Sequence, residues 1–206
     1  MVRRLLLVVV VVMSCAAWAQ DEKNDLGLTL GQASIRDREA ASGQRVVFNN
    51  SVAFGANYAR RLKGGYAVAF DLEFPFVAIP GHDITPAGSD SIVHVASLFV
   101  TPSLRVKFAP RLPISPWISG GLGFGWYEGS ELLASGAANP DRNKVSAAAQ
   151  FGAGVDVRTP LRILAPISLR GEFRDFYSFS NPSFNVPMRS DGQHNFVISG
   201  GFVLRF

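Results

Sequence analysis

The clearest strand pattern of the sequence lies at residues 195–206, where the side chains alternate with a period of two: Asn195-Phe196-Val197-Ile198-Ser199-Gly200-Gly201-Phe202-Val203-Leu204-Arg205-Phe206. The even-numbered positions carry Phe, Ile, Gly, Phe, Leu and Phe. The odd-numbered positions carry Asn, Ser, Gly and Arg, with Val197 and Val203 as apolar exceptions. Because successive side chains of a strand point to opposite faces, this pattern predicts a β-strand with one apolar face.

Seven further segments show the same alternation, so the sequence predicts eight strands. The others lie near 26–30, 46–61, 66–79, 92–108, 114–127, 145–158 and 167–179. The links at 62–65, 109–113 and 159–166 are short, whereas those at 33–45, 80–91, 128–142 and 180–193 are longer and polar. Alternating short and long links are typical of an up-and-down membrane barrel. We therefore predict an all-β, closed, antiparallel, up-and-down transmembrane barrel of eight strands, with Pro102 as a local misfit.

The first residues resemble an export signal rather than part of the barrel. Arg3 and Arg4 precede an apolar run over 5–13, which is shorter than the roughly 20 residues that a membrane-spanning helix needs. Ala17-Trp18-Ala19 has the small-x-small form of a cleavage site. The sequence predicts a cleaved signal peptide at 1–19 and an exported barrel domain at 20–206. Acylation at Cys15, as in a lipoprotein, is the open alternative.

Composition excludes several classes of protein. The chain of 206 residues is 48% hydrophobic and 17% charged, and its 20 Gly and 12 Pro argue against a helix bundle. The net charge of +4 falls to +2 without the signal peptide, and the basic residues are scattered, so we expect no nucleic-acid partner. A single Cys excludes a disulfide framework.

The chemistry of the two faces distinguishes a membrane barrel from a soluble, lipocalin-like one. One face is strongly apolar and would aggregate in water, whereas lipid would solvate it. The other face is small and polar, and it carries the charges, which are expensive in hydrocarbon and can pair inside the lumen. The predicted lumen network is Asp71, Glu73, Arg105, Lys107, Asp156, Arg158, Arg170, Glu172, Arg174 and Arg205. Two aromatic girdles are predicted from Tyr58, Tyr66, Phe108, Phe206, Trp126, Phe173, Tyr177 and Phe196.

The last eight residues, Ser199 to Phe206, resemble the C-terminal assembly signal of bacterial outer-membrane barrels. The resemblance implies that the barrel-assembly machinery reads Gly201, Leu204 and Phe206. The mature chain resembles the small barrels of the OmpA transmembrane-domain, OmpX and OmpW type. This implies an outer-membrane location with outer-membrane lipid as the surroundings, and it supports an activity only weakly.

The sequence offers few candidates for catalysis or metal binding. Asp90, Ser91 and His94 form an imaginable triad fragment, but a lipid A deacylase-like pattern of His and Ser two apart is missing. A metal site at the long-loop rim is one hypothesis, and its ligands would come from His82, Asp83, Asp90, His94, Asp191 and His194. The favoured alternative is that these are ordinary polar residues of solvent-exposed loops. Loop cations that could pair with lipopolysaccharide phosphates are Arg36, Arg38, Arg45, Arg142, Lys144 and Arg189.

We therefore expect a monomeric, non-enzymatic barrel without a cofactor or metal, with a plugged lumen and a structural role or a role in binding through its loops. The alternatives are a narrow channel for small or apolar solutes, a lipid A-modifying enzyme, and a soluble binding protein.

Overall fold

The computed structural model describes residues 23–85, 92–162, 166–180 and 192–206. The predicted signal peptide, with Cys15, Ala17 and Ala19, lies outside these residues and stays a prediction. No helix in the described ranges is long and apolar enough to cross a bilayer. The strands are β1 (Asn24–Ile35), β2 (Arg38–Glu39), β3 (Arg45–Phe48), β4 (Ser51–Gly64), β5 (Val68–Thr85), β6 (His94–Val100), β7 (Ser103–Phe108), β8 (Ile114–Gly129), β9 (Asn143–Arg162), β10 (Pro166–Ser178) and β11 (Gln193–Arg205).

The strands form a closed antiparallel ring. The order runs from β1 through β4, β5, the β6 and β7 pair, β8, β9 and β10 to β11, and β11 pairs back with β1 from Asp25 opposite Arg205 to Ile35 opposite Asn195. β6 and β7 together make one wall strand, because both pair with β5 on one side and β8 on the other. The predicted closed barrel of eight strands is thus confirmed.

The wall strand made of β6 and β7 is interrupted at Thr101 and Pro102. The predicted single segment over 92–108 is therefore divided, because Pro102 donates no hydrogen bond to the ladder and Thr101 faces a second proline, Pro75, whose carbonyl oxygen accepts from the Thr101 amide at 3.5 Å. The register against β5 is the same on both sides of the break, since Val100 lies opposite Phe76 and Ser103 lies opposite Glu73.

Several strand boundaries differ from the predicted ones. The segment 46–61 is two strands, β3 and β4, and β5 and β9 extend well beyond the predicted 66–79 and 145–158. The extension of β5 is paired to β3 through Val47 opposite Thr85. The long-loop end of the barrel is therefore built partly from strands that the alternation did not predict.

A β-bulge at Pro80 and Gly81 reverses the alternation of β5. Ile79 lies opposite Ser97, but His82 lies opposite Val95, so β5 has one extra residue there. Odd-numbered side chains point inward before the bulge, and His82 and Ile84 are buried after it. The bulge thus turns His82 into the barrel.

Glycine allows the wall to curve where strands approach closely. A Cβ atom at Gly201 would overlap the carbonyl oxygen of Leu28, and one at Gly123 would overlap the carbonyl oxygen of Val100. Only glycine fits such an approach. Gly201, which the family resemblance assigns to assembly, is thus also required by the seam between β1 and β11.

Candidate functional site: the lumen and the long-loop rim

The lower part of the lumen holds a dense group of paired charges, here called the charge cluster. Its side chains come from six strands and converge because they share the inward parity of each strand. Five are basic and five are acidic, so the formal charges cancel. The members, all buried, are Asp25, Asp71, Glu73, Arg105, Lys107, Asp156, Arg170, Glu172, Arg174 and Arg205.

Asp25 is the member that the sequence analysis missed. Its carboxylate accepts from Arg105 Nη2 at 2.6 Å and from Lys107 Nζ at 3.0 Å. The predicted first strand started at 26, one residue too late to include it. The alternation of the sequence already indicated the orientation of Asp25, because this residue has the same parity as Gly27 and Thr29 and so lies on the same face of β1.

Asp156 is the anion on which three cations converge. Arg170 donates to it through Nε at 2.8 Å and Nη2 at 3.0 Å, and the ammonium of Lys107 lies 2.8 Å away. Arg205 Nη2 donates at 3.2 Å. Paired, hydrogen-bonded geometry of this kind is what makes buried charges tolerable.

A tryptophan fills the middle of the charge cluster. Trp117 is 1% exposed, and its indole Nε1 donates to Asp156 Oδ1 at 3.3 Å. The guanidinium carbons of Arg170, Arg174 and Arg105 lie 5.1, 5.3 and 5.8 Å from its ring centroid. These distances are in the range of cation–π attraction. Trp117 therefore occupies space that would otherwise be open between the arginines.

The upper edge of the charge cluster is formed around Arg174. Its Nη2 donates to Glu73 at 2.8 Å and to Glu172 at 3.0 Å. Glu73 also accepts from Asn57 Nδ2 and from Ser103 Oγ. The polar lining thus orients the carboxylates as well as the cations.

Arg158 does not belong to the charge cluster, which corrects its predicted place. The residue is exposed, and its Nη2 donates to the carbonyl oxygen of Pro110 at 3.2 Å. It has the parity of Asp156, but it lies one step nearer the short turns, beyond the closed part of the lumen.

Above the charge cluster, the lumen is filled by apolar side chains, here called the apolar cluster. Phe99 and Phe176 are 0% exposed and stack at 4.6 Å between ring centroids, and Tyr127 meets Phe99 edge-on at 5.7 Å. The Tyr127 hydroxyl pairs with Ser178 Oγ. Aliphatic members include Val77, Ile79, Val95 and Val197. The sequence analysis did not predict this cluster, and Val197, an apparent exception to alternation, belongs to it.

The three histidines lie in different surroundings. His82 is buried, with Nδ1 2.7 Å from the carbonyl oxygen of Asn49. His94 faces Asp83 at 3.4 Å, and His194 faces Asp175 at 2.8 Å. Within the described residues, no group of three or more potential ligands could hold a metal. Asp90, Ser91 and Asp191, which the triad and metal hypotheses also used, lie outside those residues.

Most of the described loop cations are paired with local carboxylates. Arg45 meets Asp37 at 2.8 Å, Arg142 meets Glu128 at 2.7 Å, and Lys144 lies 3.5 Å from Asp141. Arg38 is buried and donates to Gln193 at 3.5 Å. Arg36 is exposed and makes no hydrogen bond or ion pair within the described part of the chain. Arg189 lies outside it.

The predicted girdle residues other than Phe173 occupy two levels of the outer wall. Tyr66 is 71% exposed in a short turn, with Phe108 at the nearby end of β7. Toward the long loops lie Trp126 and Tyr177. Phe173 lies at mid-strand in β10, which corrects its predicted place at the strand end. It stacks with Phe196 at 6.0 Å. Tyr58 donates to Asn24, and Phe206 exchanges backbone hydrogen bonds with Asn24.

The outer wall between these levels is apolar and exposed. Leu122 is 69% exposed, Ile198 is 63% exposed and Phe202 is 60% exposed. An exposed band of this kind is what a lipid-facing barrel wall presents.

Comparison with known proteins shows the fold. No protein-family model matches the sequence, and no curated protein matches it. Neisserial surface protein A superposes with a TM-score of 0.52 at 13% identity, covering 89% of this chain and 97% of that one. Ail of Yersinia pestis gives a TM-score of 0.48 at 14% identity over 88% and 99% of the two chains. OprG of Pseudomonas aeruginosa gives 0.49 at 12% identity over 89% and 96%. The closed ring of eight wall strands and the superposition on Neisserial surface protein A show that this chain has the fold of the small, eight-stranded bacterial outer-membrane barrels.

Proposed function

We propose that the protein is an integral barrel of the bacterial outer membrane whose lumen is closed, and that it acts structurally or by binding at its long-loop end. The observation that carries the proposal is the filled lumen. The charge cluster and Trp117 fill the lower part, and the stacked Phe99 and Phe176 fill the upper part. A continuous water path would have to break both layers.

The membrane location is supported by the wall and by the fold of the similar structures. Leu122, Phe54 and Phe202 are each more than half exposed on a band that lipid would solvate. We expect the protein to fractionate with outer membranes and to give a folded, heat-modifiable band on gels. Recovery in the soluble fraction would contradict the location. The cleaved signal peptide is tested by the mass of the mature N-terminus, which also distinguishes cleavage before Gln20 from acylation at Cys15.

Single-channel recording in a planar bilayer tests the closed lumen. We expect no steady conductance from inserted, folded protein, with a known porin as the control for insertion. A steady open level would reject the closed lumen and favour the narrow channel.

We propose that the barrel has no enzymatic activity. The His194 and Asp175 pair resembles two members of a catalytic triad, but the hydrogen bonds of the described residues join no serine or threonine hydroxyl to His194. Incubation of purified protein with lipid A should release no fatty acid. Release that is lost in His94→Ala or His194→Ala would overturn this part of the proposal.

A further inference from the structure

Three outward-facing side chains form a row at the long-loop end of the wall, here called the rim row: Tyr177, His194 and Arg36. Tyr177 of β10 lies directly opposite His194 of β11. Because Ile35 lies opposite Asn195, the register of β1 and β11 continues to place Arg36 beside His194. All three residues line one cavity of about 330 Å³.

The rim row offers positive charge and hydrogen-bond donors. Arg36 makes no ion pair within the described residues, so its guanidinium is available to an anion. His194 Nδ1–H donates to the Asp175 carboxylate at 2.8 Å, so Nε2 is the ring nitrogen that faces a ligand, and it donates to a phosphate oxygen from the doubly protonated ring. Tyr177 adds a phenolic hydroxyl.

The carboxylates beside the row already have partners. Asp37 lines the same cavity, but it accepts from Arg45 Nη2 at 2.8 Å and from the Phe48 amide at 3.3 Å. Glu39 also lines the cavity and has an interaction of its own. These pairings reduce the repulsion that an incoming anion would meet.

A column of aromatic rings continues from the rim row down the outer wall. Tyr177 lies 4.8 Å from His194, His194 stacks with Phe196 at 5.6 Å, and Phe196 stacks with Phe173 at 6.0 Å between centroids. Ile198 lies opposite Phe173 and Leu30 lies lower, and both are mostly exposed on the same side of the wall. The column therefore joins a polar row at the rim to the apolar band.

The local backbone keeps Tyr177 in place. Gly192 has a φ of 76°, and a Cβ atom there would overlap the Tyr177 hydroxyl. Because only glycine combines this φ with such a close approach, the ring packs directly against the backbone.

We propose that the rim row binds the phosphate of an anionic lipid of the outer leaflet, whose acyl chains lie along the aromatic column. This inference rests on the proposed membrane location and names a ligand for the long-loop end. A free phosphate would use the rim row alone. The column beneath the row is what favours a lipid, since it provides the apolar surface that acyl chains need.

The test measures lipid retained by the folded barrel. Protein in mild detergent is mixed with diphosphorylated lipid A, and bound lipid is counted by native mass spectrometry. Arg36→Gln removes the positive charge that would face the phosphate, and His194→Ala removes the ring nitrogen that would donate to it. We expect each to weaken retention about tenfold, the usual size for loss of one charge-assisted hydrogen bond. Phe173→Ala should weaken lipid retention and leave any binding of inorganic phosphate unchanged.

Arg142→Gln is the matched control, because Arg142 is a loop cation already paired with Glu128. Its retention should equal that of the unchanged protein, and the heat-modifiable band shows that each variant is folded. Equal retention in all variants, or an equal loss in Arg142→Gln, would overturn the proposal. Inorganic phosphate that binds as well as lipid A would overturn the lipid assignment. A conducting barrel that still retains lipid at the rim row would contradict only the closed lumen.

Discussion

The two halves of the lumen are closed by opposite chemistry within the same ring of strands. On β10, Arg170, Glu172 and Arg174 enter the charge cluster, and the next inward residue, Phe176, enters the apolar cluster. On β11, Arg205 lies in the lower half and Val197 lies in the upper half. The comparison teaches that inward parity determines where a side chain points, whereas its neighbours across the lumen determine whether it must be charged or apolar.

The halves should also differ in their response to substitution. In the lower half, each charge depends on several partners, so that removing one leaves others buried without compensation. In the upper half, a smaller side chain leaves a cavity, whose cost grows with the volume lost.

Asp156→Asn should have the largest effect. It removes the negative charge shared by Lys107, Arg170 and Arg205 without changing the volume. We expect the free energy of unfolding to fall by about 3–5 kcal/mol, as for other broken buried ion pairs. Urea titration of the refolded barrel in lipid vesicles measures it. Glu131→Gln, in an exposed loop, is the control, and a similar small change in both variants would contradict a tightly coupled charge cluster.

Leu122→Lys tests the outer wall as a third environment. Leu122 is 69% exposed on β8, and a lysine there should cost about 2–4 kcal/mol if the site lies near the bilayer midplane. The same titration measures the loss. Leu132→Lys is the matched control, since Leu132 is also exposed but lies in a long loop, where a change within about 0.5 kcal/mol is expected. Equal tolerance at both positions would argue against lipid around the wall.

Ile79→Val should have the smallest effect. The side chain is fully buried in the apolar cluster, and loss of one methyl group there should cost about 0.5–1.5 kcal/mol. If its cost exceeds that of Asp156→Asn, the ranking of the two halves is wrong. Ile114→Val, on an exposed wall position, controls for the change of residue type.

The alternation of the sequence predicted the ring of strands and most of the charge cluster. It worked in the middle of the wall, where the charged side chains lie on the inward face, whereas Arg60, Glu128 and Asp175 near the strand ends have outward parity. The apolar cluster escaped prediction for a different reason. Where both faces are apolar, as around Val77 and Phe99, no contrast remains to show which side is inside.

Two other features could not be inferred from parity. The bulge at Pro80 and Gly81 changes the inward face of β5, and only the pairing with β6 shows it. Arg158 has inward parity but lies beyond the closed part of the lumen. Parity gives the face of the strand, whereas the position of a residue along the barrel axis depends on strand tilt and stagger. The rim row likewise could not be inferred from parity, because it needs the register of β1 against β11, two strands at opposite ends of the described sequence.

The seam between β1 and β11 has a topological consequence. Every other junction between neighbouring wall strands joins consecutive segments of chain, so a hairpin can form there locally. At the seam, Asn24 and Phe206 exchange backbone hydrogen bonds at 2.8 and 2.9 Å across nearly the whole described sequence. Because this contact has the largest sequence separation in the wall, we expect it to form after the hairpins, from an open sheet with two unsatisfied edges. Such edges can pair with a foreign strand, so the open sheet is the form of this chain that is most exposed to wrong pairing.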